Sequence, residues 1–468
     1  MGTQILLNLP DIHQFLHIYK IMSRQIHLLD LLALLPAQPY YLDSDYSVSI
    51  VTGITTDTRR VQAGEIFIAL QGENFDGHGF AGQAIEQGAQ VVVTNRLLPD
   101  KIPQLVVPDT LAAYQQIAQW WRQQFQIPVI GVTGSFGKTT TKELIAALLS
   151  HHGKVLKTQL NYNNEIGVPK TLLELNSDHQ FAVVEMAMRG LGEIALLTQI
   201  TQPTIGLITI AGSAHIGRLG SLEAIAQAKC ELLEKMPRDG VVILNHDSQR
   251  LLDRAAVVWS GKTITYGLEG GDLQGELEGD RLIVRGKSLP LPLPGRHNAV
   301  NFLGAIAVAE TLGLDWDFLT QGLPVQLPAG RAQRYQLPQD ILLLDETYNA
   351  GLESMIAALQ LLAGTPGKRR IAVLGTMKEL GEQSLEFHHR VGEVVRELAL
   401  DQLFVLVDAE GEAEAIAQGA APLKALVFTT HAELTAALQS FLQPGDTVLF
   451  KASRSVKLDL VVDRVRER

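Results

Sequence analysis

A short stretch around residue 130 constrains the fold of this chain more than any other part of its sequence. Residues 127–132 form a largely apolar run that predicts a buried strand, and residues 139–149 repeat apolar side chains at helical spacing. The tight turn between these elements carries Gly131, Gly134 and Gly137. Glycines let successive N–H groups point at one anion, and the start of a helix adds positive potential. The stretch therefore predicts a phosphate-binding loop.

Lys138 and Thr139 give this loop its chemistry. The Lys138 ammonium can reach the β- and γ-phosphates of a nucleotide, and the Thr139 hydroxyl can ligate Mg²⁺. The spacing departs from the common Walker A loop, which has glycine at the position of Val132. The alternative interpretation is a chance Gly-Lys-Thr turn, which the flanking strand and helix disfavour.

Composition excludes several classes of protein. The 39 basic and 50 acidic residues give a net charge of −11, which argues against a nucleic-acid partner but leaves small anions open. A single cysteine, Cys230, rules out an intrachain disulfide and fits a reducing cytoplasm. The longest apolar stretches are too short to span a membrane. We therefore expect a cytoplasmic protein without membrane insertion, and we expect it to be a monomer.

The alternation of strand and helix patterns predicts an α/β protein with three domains. Residues 26–127 form a small α/β domain, and residues 128–326 form a central domain whose mostly parallel sheet surrounds the phosphate loop. Residues 327–468 repeat the rhythm and predict a Rossmann-like α/β domain.

Three segments do not follow this alternation. Residues 264–293 contain short strands and turns and predict a small antiparallel insert. The proline-containing residues 323–330 predict a hinge. Residues 1–25 are expected to be an N-terminal extension, either a disordered one or one translated from a start codon placed too early.

Three residues of the central segment are candidates for catalysis. Glu185 ends an apolar strand, and a carboxylate at that end beside a phosphate loop suits Mg²⁺, the alternative being a strand-end residue without a role. His215 follows the next strand through a glycine-containing loop and is either structural or a metal or phosphate contact. Lys229 lies on a helix among alanines, where the simplest interpretation is a solvated side chain, which spacing alone does not exclude.

Further candidates lie at later strand and helix ends. Asn298, in GRHNAVN, is either a helix cap or an amide that reads an adenine edge. Arg331 follows the hinge and can point a guanidinium at phosphates. The segment DETYNA offers Asp345, Glu346 and Asn349 to ribose or metal. KASRS, residues 451–455, is either a site for a carboxylate-bearing substrate or a solvated basic turn.

Two polar segments of the first domain have open interpretations. TTDTRR, residues 55–60, offers guanidinium groups that suit a diphosphate or carboxylate, or it is a solvated turn. GENFDGHGF, residues 72–80, is either a ligand rim or a surface turn, and its composition favours the turn.

Together these segments resemble the Mur ligases, the ATP-dependent amide ligases of peptidoglycan precursor synthesis. The resemblance runs from about residue 48 to the C-terminus, and its most specific part is TGSFGKTT, residues 133–140, which is similar to that family's own phosphate loop. The other segments that carry it are NYNNEIGVPKTLL (161–173), GSAHIGRLGSLEAIAQAKCELL (212–233), GRHNAVN (295–301), ETYNA (346–350) and LGTMKELG (374–381), with His388 beyond the last.

The resemblance implies a reaction and its substrates. The three domains would hold a UDP-sugar, ATP and an incoming dipeptide. The motifs are most similar to members that join D-alanyl-D-alanine to UDP-N-acetylmuramoyl-tripeptide through an acyl phosphate. The alternative is the member that adds the third amino acid, diaminopimelate or lysine, to UDP-N-acetylmuramoyl-dipeptide. That member shares TDTR and the DGH loop but usually has an Asn-Pro-Arg signature, which this sequence lacks.

The resemblance also implies roles for individual residues. The implied catalytic residues are Lys138, Glu185, His215 and Lys229. The implied ATP contacts are Thr133, Gly134, Ser135, Gly137, Lys138, Thr139 and Thr140, with Asn298 at adenine, Arg331 at the phosphates and Glu346 at the ribose. Two Mg²⁺ ions are implied, one held by Thr139 and Glu185 and the other by His215 and a carbamylated Lys229. The implied substrate contacts are Thr56, Asp57, Thr58, Arg59, Asn74, Asp76, Gly77, His78, Asn163, Asn164, Tyr348, Asn349, Lys451, Ser453 and Arg454.

The sequence departs from the family pattern at a few positions. Ile210 stands where an asparagine often follows the threonine, so an amide contact is missing. Glu346 replaces an aspartate and keeps the carboxylate, whereas Gly351-Leu352 replaces Asn-Pro and Thr376 replaces an aspartate. These changes affect individual contacts and leave the implied reaction unchanged.

Overall fold

The computed structural model describes residues 25–42 and 49–467, which fall into two compact units. The first unit contains the described residues up to Val129, with Gly153–Val184 and Leu196–Gln202. The second contains Ile130–His152, Glu185–Ala195 and the described residues from Pro203 onward. Except for Gln25, the predicted N-terminal extension lies outside the described residues. The three predicted domain borders stay predictions.

The first unit contains a five-stranded sheet. Its strand order is β2-β9-β8-β5-β4, and only β2 runs antiparallel to its neighbour. The buried side chains of Phe67 and Val92 pack with Ala84 to form a core. The elements of this part of the chain are β1 (Ile26–His27), α1 (Leu28–Leu34), β2 (Gln38–Tyr40), β3 (Ile50–Val51), β4 (Ile54–Thr55), β5 (Ile66–Ile68), β6 (Gln71–Gly72), β7 (Phe75–Asp76), α2 (Ala81–Glu86), β8 (Val91–Thr94), β9 (Gln104–Val106) and α3 (Thr110–Gln123).

Strands and helices alternate through the central part of the chain, as predicted. The elements are β10 (Val129–Thr133), α4 (Lys138–Leu149), β11 (Val155–Lys157), α5 (Gly167–Leu173), β12 (Phe181–Glu185), α6 (Glu193–Thr201), β13 (Ile205–Ile208), α7 (Ile216–Leu219), α8 (Leu222–Lys235), β14 (Val241–Asn245), α9 (Gln249–Val258), β15 (Lys262–Gly267), β16 (Leu273–Glu278), β17 (Arg281–Val284), β18 (Lys287–Pro290) and α10 (Arg296–Thr311). In the first unit, β11 and β12 pair in parallel.

The central sheet of the second unit has the order β10-β13-β14-β15-β16-β17-β18. The strands are parallel as far as β16, and β16, β17 and β18 then form an antiparallel meander. The prediction of an antiparallel insert was therefore wrong for β15, which continues the parallel sheet. Short strands with turn residues look alike in either direction, because the connection between strands sets their direction.

A second sheet of the same unit has the order β19-β20-β24-β21-β22-β23, with only β19 antiparallel. Buried Leu343, Val373, Phe404 and Phe450 belong to its core, as expected for parallel strands covered on both faces. The elements are β19 (Gln333–Leu337), β20 (Ile341–Asp345), α11 (Leu352–Gly364), β21 (Arg369–Leu374), α12 (Ser384–Glu397), β22 (Gln402–Leu406), α13 (Glu410–Gly419), β23 (Leu426–Phe428), α14 (His431–Phe441), β24 (Asp446–Lys451) and α15 (Asp459–Arg466).

Two further sequence-based predictions concern Cys230 and membrane segments. The Cys230 thiol is free and fully buried, and burial raises its pKa to about 12, so Cys230 serves as a small core residue. Among the residues that the structure describes, no helix has both the length and the apolarity to cross a membrane.

Candidate functional site

The phosphate-binding loop joins β10 to α4, as the glycine pattern predicts. Gly134 has φ +148° and Gly137 has φ +79°, which are backbone conformations that other residues rarely adopt. A Cβ on Gly134 would lie 1.9 Å from Thr209 Oγ1, and one on Gly137 would lie 2.6 Å from Asn301 Oδ1. Both conformation and space therefore require glycine at these positions.

Neighbouring strand ends hold the loop in place. The Ser135 hydroxyl donates to the Gly212 carbonyl at 3.1 Å and accepts from the Gly212 N–H at 2.9 Å. The Thr209 hydroxyl donates to the Phe136 carbonyl at 2.5 Å. At the start of the loop, the Thr133 hydroxyl donates to a backbone carbonyl at 2.8 Å. Because side chains fix its backbone, the loop is organised before an anion arrives.

The Lys138 ammonium folds back over the loop. Its Nζ donates to the Gly134 carbonyl at 2.8 Å and to the Ser135 carbonyl at 3.3 Å. Burial lowers the pKa of Lys138, and the nearby Arg331 guanidinium lowers it further, whereas Glu185 opposes both effects. Bringing an anion to this loop would offset the repulsion between the two cations.

Thr139 and Glu185 place two kinds of oxygen ligand side by side. The Thr139 hydroxyl donates to Glu185 Oε1 at 3.1 Å, and both side chains are buried. Buried Lys142 lies 2.9 Å from Glu143 and 4.0 Å from Glu185 Oε2, so the carboxylates have a counter-ion. A hydroxyl and a carboxylate beside a phosphate loop are the donors that Mg²⁺ prefers.

His215 lies at the start of α7 with φ 66°, in the left-handed region. Its Nδ1 bonds Glu379 Oε2, and Glu379 Oε1 also accepts from Arg218 Nε at 3.1 Å. Burial lowers the pKa of His215, whereas the Glu379 carboxylate raises it, and Lys229 and Lys138 lower it further, so that the net shift is downward.

Lys229 is buried on α8, with 1% of its surface exposed, so the interpretation of a solvated side chain was wrong. Burial lowers the pKa of Lys229 well below its usual range, and Lys138 acts in the same direction. Sequence spacing missed this burial because alanines surround the lysine and give no clear apolar stripe. No cluster of three or more His, Cys, Asp or Glu side chains suited to a metal occurs among the described residues.

A cavity of about 650 Å³ lies between the loop, the start of α10 and the second sheet. Phe136, Thr209 and Ile210 line one side, and Glu353 and Leu361 of α11 line another. Ile210, which replaces the family's usual asparagine, thus faces this cavity with an apolar side chain.

Asn298 lies in the first turn of α10, but no side chain caps this helix and Gly295 holds the N-cap position. The Asn298 amide instead donates to the Pro294 carbonyl at 2.8 Å. The interpretation of Asn298 as a cap was therefore wrong. His297 and Asn301, its neighbours on α10, line the cavity.

Residues after the predicted hinge approach the loop from the second sheet. The Arg331 guanidinium stacks 3.8 Å from the Tyr348 ring, and Gly330, with φ +72°, accepts from the Tyr348 N–H at 2.9 Å. Glu346 Oε1 accepts from a backbone N–H at 3.2 Å, and burial raises the pKa of Glu346. Lys451 is buried and donates to the Asn349 carbonyl at 3.0 Å.

KASRS is therefore not a solvated basic turn as a whole. Burial lowers the pKa of Lys451. The Ser453 hydroxyl oxygen accepts a hydrogen bond from the Lys378 N–H at 3.0 Å. Arg454 and Ser455 are exposed, and Arg454 pairs with Asp459 at 2.8 Å. Asp345 accepts from Thr347 and stabilises its own turn.

The residues predicted to contact the UDP-substrate lie in the first unit. Asp57 accepts from Arg59 Nε at 2.9 Å, and this hydrogen bond holds the pKa of Asp57 below its usual range. Thr56 precedes that pair and Thr58 lies between its two members; both are half-buried, and the short helical turn of residues 58–60 begins at Thr58.

Asp76 organises the DGH loop of the same unit. It bonds His78 Nδ1 at 2.6 Å and Arg96 at 2.8 Å, and Arg96 lowers its pKa most. A Cβ on Gly77 would lie 2.7 Å from a backbone carbonyl, so glycine is required, whereas Asn74 is exposed.

Asn163 and Asn164 belong to the first unit as well. Asn164 Oδ1 accepts from the Gly167 N–H at 2.9 Å, at the start of α5. The roles predicted for all these residues stay predictions.

Sequence reasoning did not assign roles to Glu353 and Glu379. Glu353 accepts from the N–H and the hydroxyl of Ser213 at 2.7 and 2.8 Å. Glu379 lies in LGTMKELG, a segment that carries the family resemblance and has no role implied for this glutamate. Their partners are far away in the chain, so only the fold shows what they contact.

Known protein families and curated proteins match most of the length of this chain. The family model "Mur ligase family, catalytic domain" matches residues 50–119, "Mur ligase middle domain" matches 132–309, and "Mur ligase, glutamate ligase domain" matches 330–454. The UDP-N-acetylmuramoyl-tripeptide–D-alanyl-D-alanine ligase of Synechocystis sp. is 60% identical over 418 residues, 89% of this chain and 92% of that protein.

Two solved structures share this architecture. MurF from Acinetobacter baumannii superposes with a TM-score of 0.86 at 32% identity, covering 95% of this chain and 100% of that one. The MurF ligase from Thermotoga maritima, solved in complex with ADP, gives a TM-score of 0.80 at 29% identity, covering 89% and 97%.

Proposed function

This chain belongs to the Mur ligase family, and we propose that it is the ATP-dependent ligase that joins D-alanyl-D-alanine to UDP-N-acetylmuramoyl-tripeptide in peptidoglycan precursor synthesis. The single observation that carries the choice of substrate is the 60% identity, over 89% of the chain, to a ligase of that name. The same relationship favours this reaction over addition of the third amino acid to the dipeptide precursor.

The chemistry requires activation of a carboxylate. The terminal carboxylate of the tripeptide attacks the γ-phosphate of ATP, which gives an acyl phosphate and ADP. The amine of D-alanyl-D-alanine then attacks the acyl carbon, and phosphate leaves as the amide forms. Lys138 would bind the transferring phosphoryl oxygens, and Arg331 would balance charge at the same phosphates. Support comes from the electrostatic proximity of Lys138 and Arg331 above the loop.

We propose that two Mg²⁺ ions take part. Thr139 and Glu185 would hold the first ion, and the 3.1 Å contact between their oxygens supports this proposal. His215 and Lys229 would hold the second. A lysine ammonium repels a cation, so Lys229 suits this site only as a carbamate, and its depressed pKa favours the neutral amine that reacts with CO₂. The ions would screen the negative charge of the phosphates.

The cavity suits the nucleoside part of ATP. Its lining mixes apolar side chains with polar groups of His297, Asn301 and Glu353, as is usual for nucleotide-sized ligands. Asn298 and Glu346 are not among the residues that line this cavity, and their expected contacts with adenine and ribose stay predictions. The ADP-bound structure of the Thermotoga maritima relative supports ATP as the nucleotide.

Different segments of the chain would bind the two substrates. The residues of TDTR, the DGH loop and Asn163-Asn164 would bind the UDP-muramoyl peptide, and Tyr348, Asn349 and KASRS would bind the dipeptide. We propose borders near residues 127 and 326 between the substrate-binding, ATP-binding and dipeptide-binding domains. We also propose that the enzyme works as a cytoplasmic monomer.

A panel of amine substrates tests the reaction. Purified full-length chain is given ATP, Mg²⁺ and UDP-N-acetylmuramoyl-tripeptide bearing diaminopimelate or lysine, and ADP release is followed with and without D-alanyl-D-alanine. We expect release to depend on the dipeptide. Dependence instead on free diaminopimelate or lysine with the dipeptide precursor would identify the alternative ligase.

A further inference from the structure

Glu379 connects the second sheet to the start of α7 through three contacts. Its carboxylate bonds His215 Nδ1 with one oxygen and Arg218 Nε, at 3.1 Å, with the other. Its backbone carbonyl accepts from the Gly217 N–H at 3.0 Å. A Cβ on Gly217 would lie 2.5 Å from the Gly381 nitrogen, so the two segments meet backbone to backbone.

Both partners of the central contact have unusual backbones. His215 has φ 66° and Glu379 has φ 64°, and neither is glycine. Such conformations persist only where the surroundings impose them, and they cluster at functional sites. The side chains of these two strained residues contact each other. A tight turn alone would not require that contact.

Contacts with α12 and with Asp408 also stabilise the loop that carries Glu379. His388 Nε2 accepts from the Met377 N–H at 2.8 Å, and Lys378 Nζ pairs with Asp408 Oδ2 at 2.6 Å. The buried His388 ring is fixed in turn by its own contact with a backbone carbonyl, 2.6 Å away. These contacts therefore fix the backbone next to Glu379 and, with it, the position of the carboxylate.

An ionised carboxylate only accepts hydrogen bonds, so the proton of the contact with His215 belongs to the ring Nδ1. In a neutral imidazole, Nε2 is then the nitrogen with the free lone pair. We propose that Glu379 is a positioning residue that fixes His215 in the Nδ1–H tautomer, so that its Nε2 is ready as an acceptor in the ligation site only while the LGTMKELG segment contacts α7.

This inference rests on the proposed function, because it takes His215 to act in the ligation reaction. Its consequence is that the orientation of the histidine on one segment depends on a carboxylate supplied by another segment, LGTMKELG. Carboxylates that orient a ligating histidine have measurable effects, about 10- to 100-fold on activity or metal affinity.

The test compares three variants of the full-length chain. Glu379→Ala removes the acceptor, and Glu379→Gln keeps an acceptor oxygen but removes the charge. Glu382→Ala is the matched control, since Glu382 is an exposed acid on the same loop. The tautomer of His215 is read from nitrogen-15 spectra of histidine-labelled protein, with the signal identified by its loss in His215→Gln.

We expect the Nδ1–H tautomer of His215 in the unaltered chain, in Glu379→Gln and in Glu382→Ala, and a mixture of tautomers in Glu379→Ala. We expect kcat to fall about 10- to 100-fold in Glu379→Ala with the KM for the UDP-substrate unchanged. Glu379→Gln should recover most of the loss.

An Nε2–H tautomer in the unaltered chain would overturn the inference, even if Glu379→Ala does not fold. So would a Glu379→Ala variant whose tautomer and kcat match those of Glu382→Ala. Failure of the proposed function has a different signature, because the unaltered chain would then show no turnover that depends on D-alanyl-D-alanine.

Discussion

Both carboxylate oxygens of Glu353 accept hydrogen bonds from Ser213, one from its N–H at 2.7 Å and one from its hydroxyl at 2.8 Å. The preceding residue, Gly212, bonds the Ser135 hydroxyl of the phosphate loop. The first turn of α11 is thus connected to the phosphate loop through a single pair of residues. The contact closes one side of the cavity that we assign to ATP.

Glu353→Ala should therefore weaken nucleotide binding. Hydrogen bonds to a charged group contribute about 1.5–3 kcal/mol each, and we expect a loss of about tenfold or more in affinity because loop ordering is also affected. Calorimetric titration with a nonhydrolysable ATP analogue measures the change. Glu386→Ala, which removes an exposed acid from α12, is the control. Equal affinities in the two variants would contradict the role of Glu353.

Lys138→Ala should abolish turnover and leave the UDP-substrate bound. The side chain lies above the loop carbonyls, whereas the residues expected to bind the UDP-substrate belong to the first unit. Removal of one group that stabilises developing charge costs about 100-fold or more in kcat. Steady-state ADP release and fluorescence-detected UDP-substrate binding separate the two effects. Lys235→Ala, an exposed lysine at the end of α8, should behave like the unaltered chain. Turnover by Lys138→Ala near the normal rate would refute the assignment.

Lys229 should carry a carbamate in the active enzyme. Native mass spectrometry should show the added mass of one CO₂, which disappears on acidification and in Lys229→Ala. Depleting CO₂ from the assay should lower the rate, and Lys229→Ala should lose about 100-fold in activity. A full rate without CO₂, together with an unmodified native mass, would exclude the carbamate.

His297 should make stability depend on pH. Burial lowers its pKa to about 4, and Lys451 acts in the same direction. In the unfolded chain this ring is protonated below about pH 6.5. Between pH 6.5 and 4 the unfolded chain therefore binds a proton at His297 that the folded chain does not bind. Folding stability therefore falls as pH decreases from 6.5 towards 4, and because the ring is only half-buried in the cavity wall, the loss from this residue at pH 5 is at most about 2 kcal/mol.

Thermal unfolding at pH 7 and pH 5 tests that sign. The drop in Tm between the two conditions should be smaller for His297→Asn than for the unaltered chain, since the amide does not titrate. Drops of the same size in both proteins would show that His297 does not contribute.

The phosphate loop was predictable because its determinants are local. Glycines at 134 and 137, a strand before them and a helix after them are all visible within one stretch of sequence. The strand-end position of Glu185 followed from the rule that parallel strands present their carboxyl ends at one edge. The structure then brings Thr139 and Glu185 together as that rule implies.

Other features depend on contacts that a sequence does not display. The burial of Lys229 arises from packing around α8, and its neighbouring alanines look the same on an exposed helix. Glu353 and Glu379 act on Ser213 and His215, which are more than a hundred residues away in the chain. The direction of β15 was misjudged because it is set by the path of the chain between strands.

The cavity wall begins at Phe136 and ends at Pro366 in the sequence, so no single segment can build it. On the ribosome, the phosphate-binding loop would leave the exit tunnel long before the opposite wall of the cavity has been translated. A nascent chain that stops before Arg331 would then expose an open, partly apolar groove to chaperones and proteases. The chain would therefore be able to hold a nucleotide in this cavity only after residues 334–366 have been synthesised.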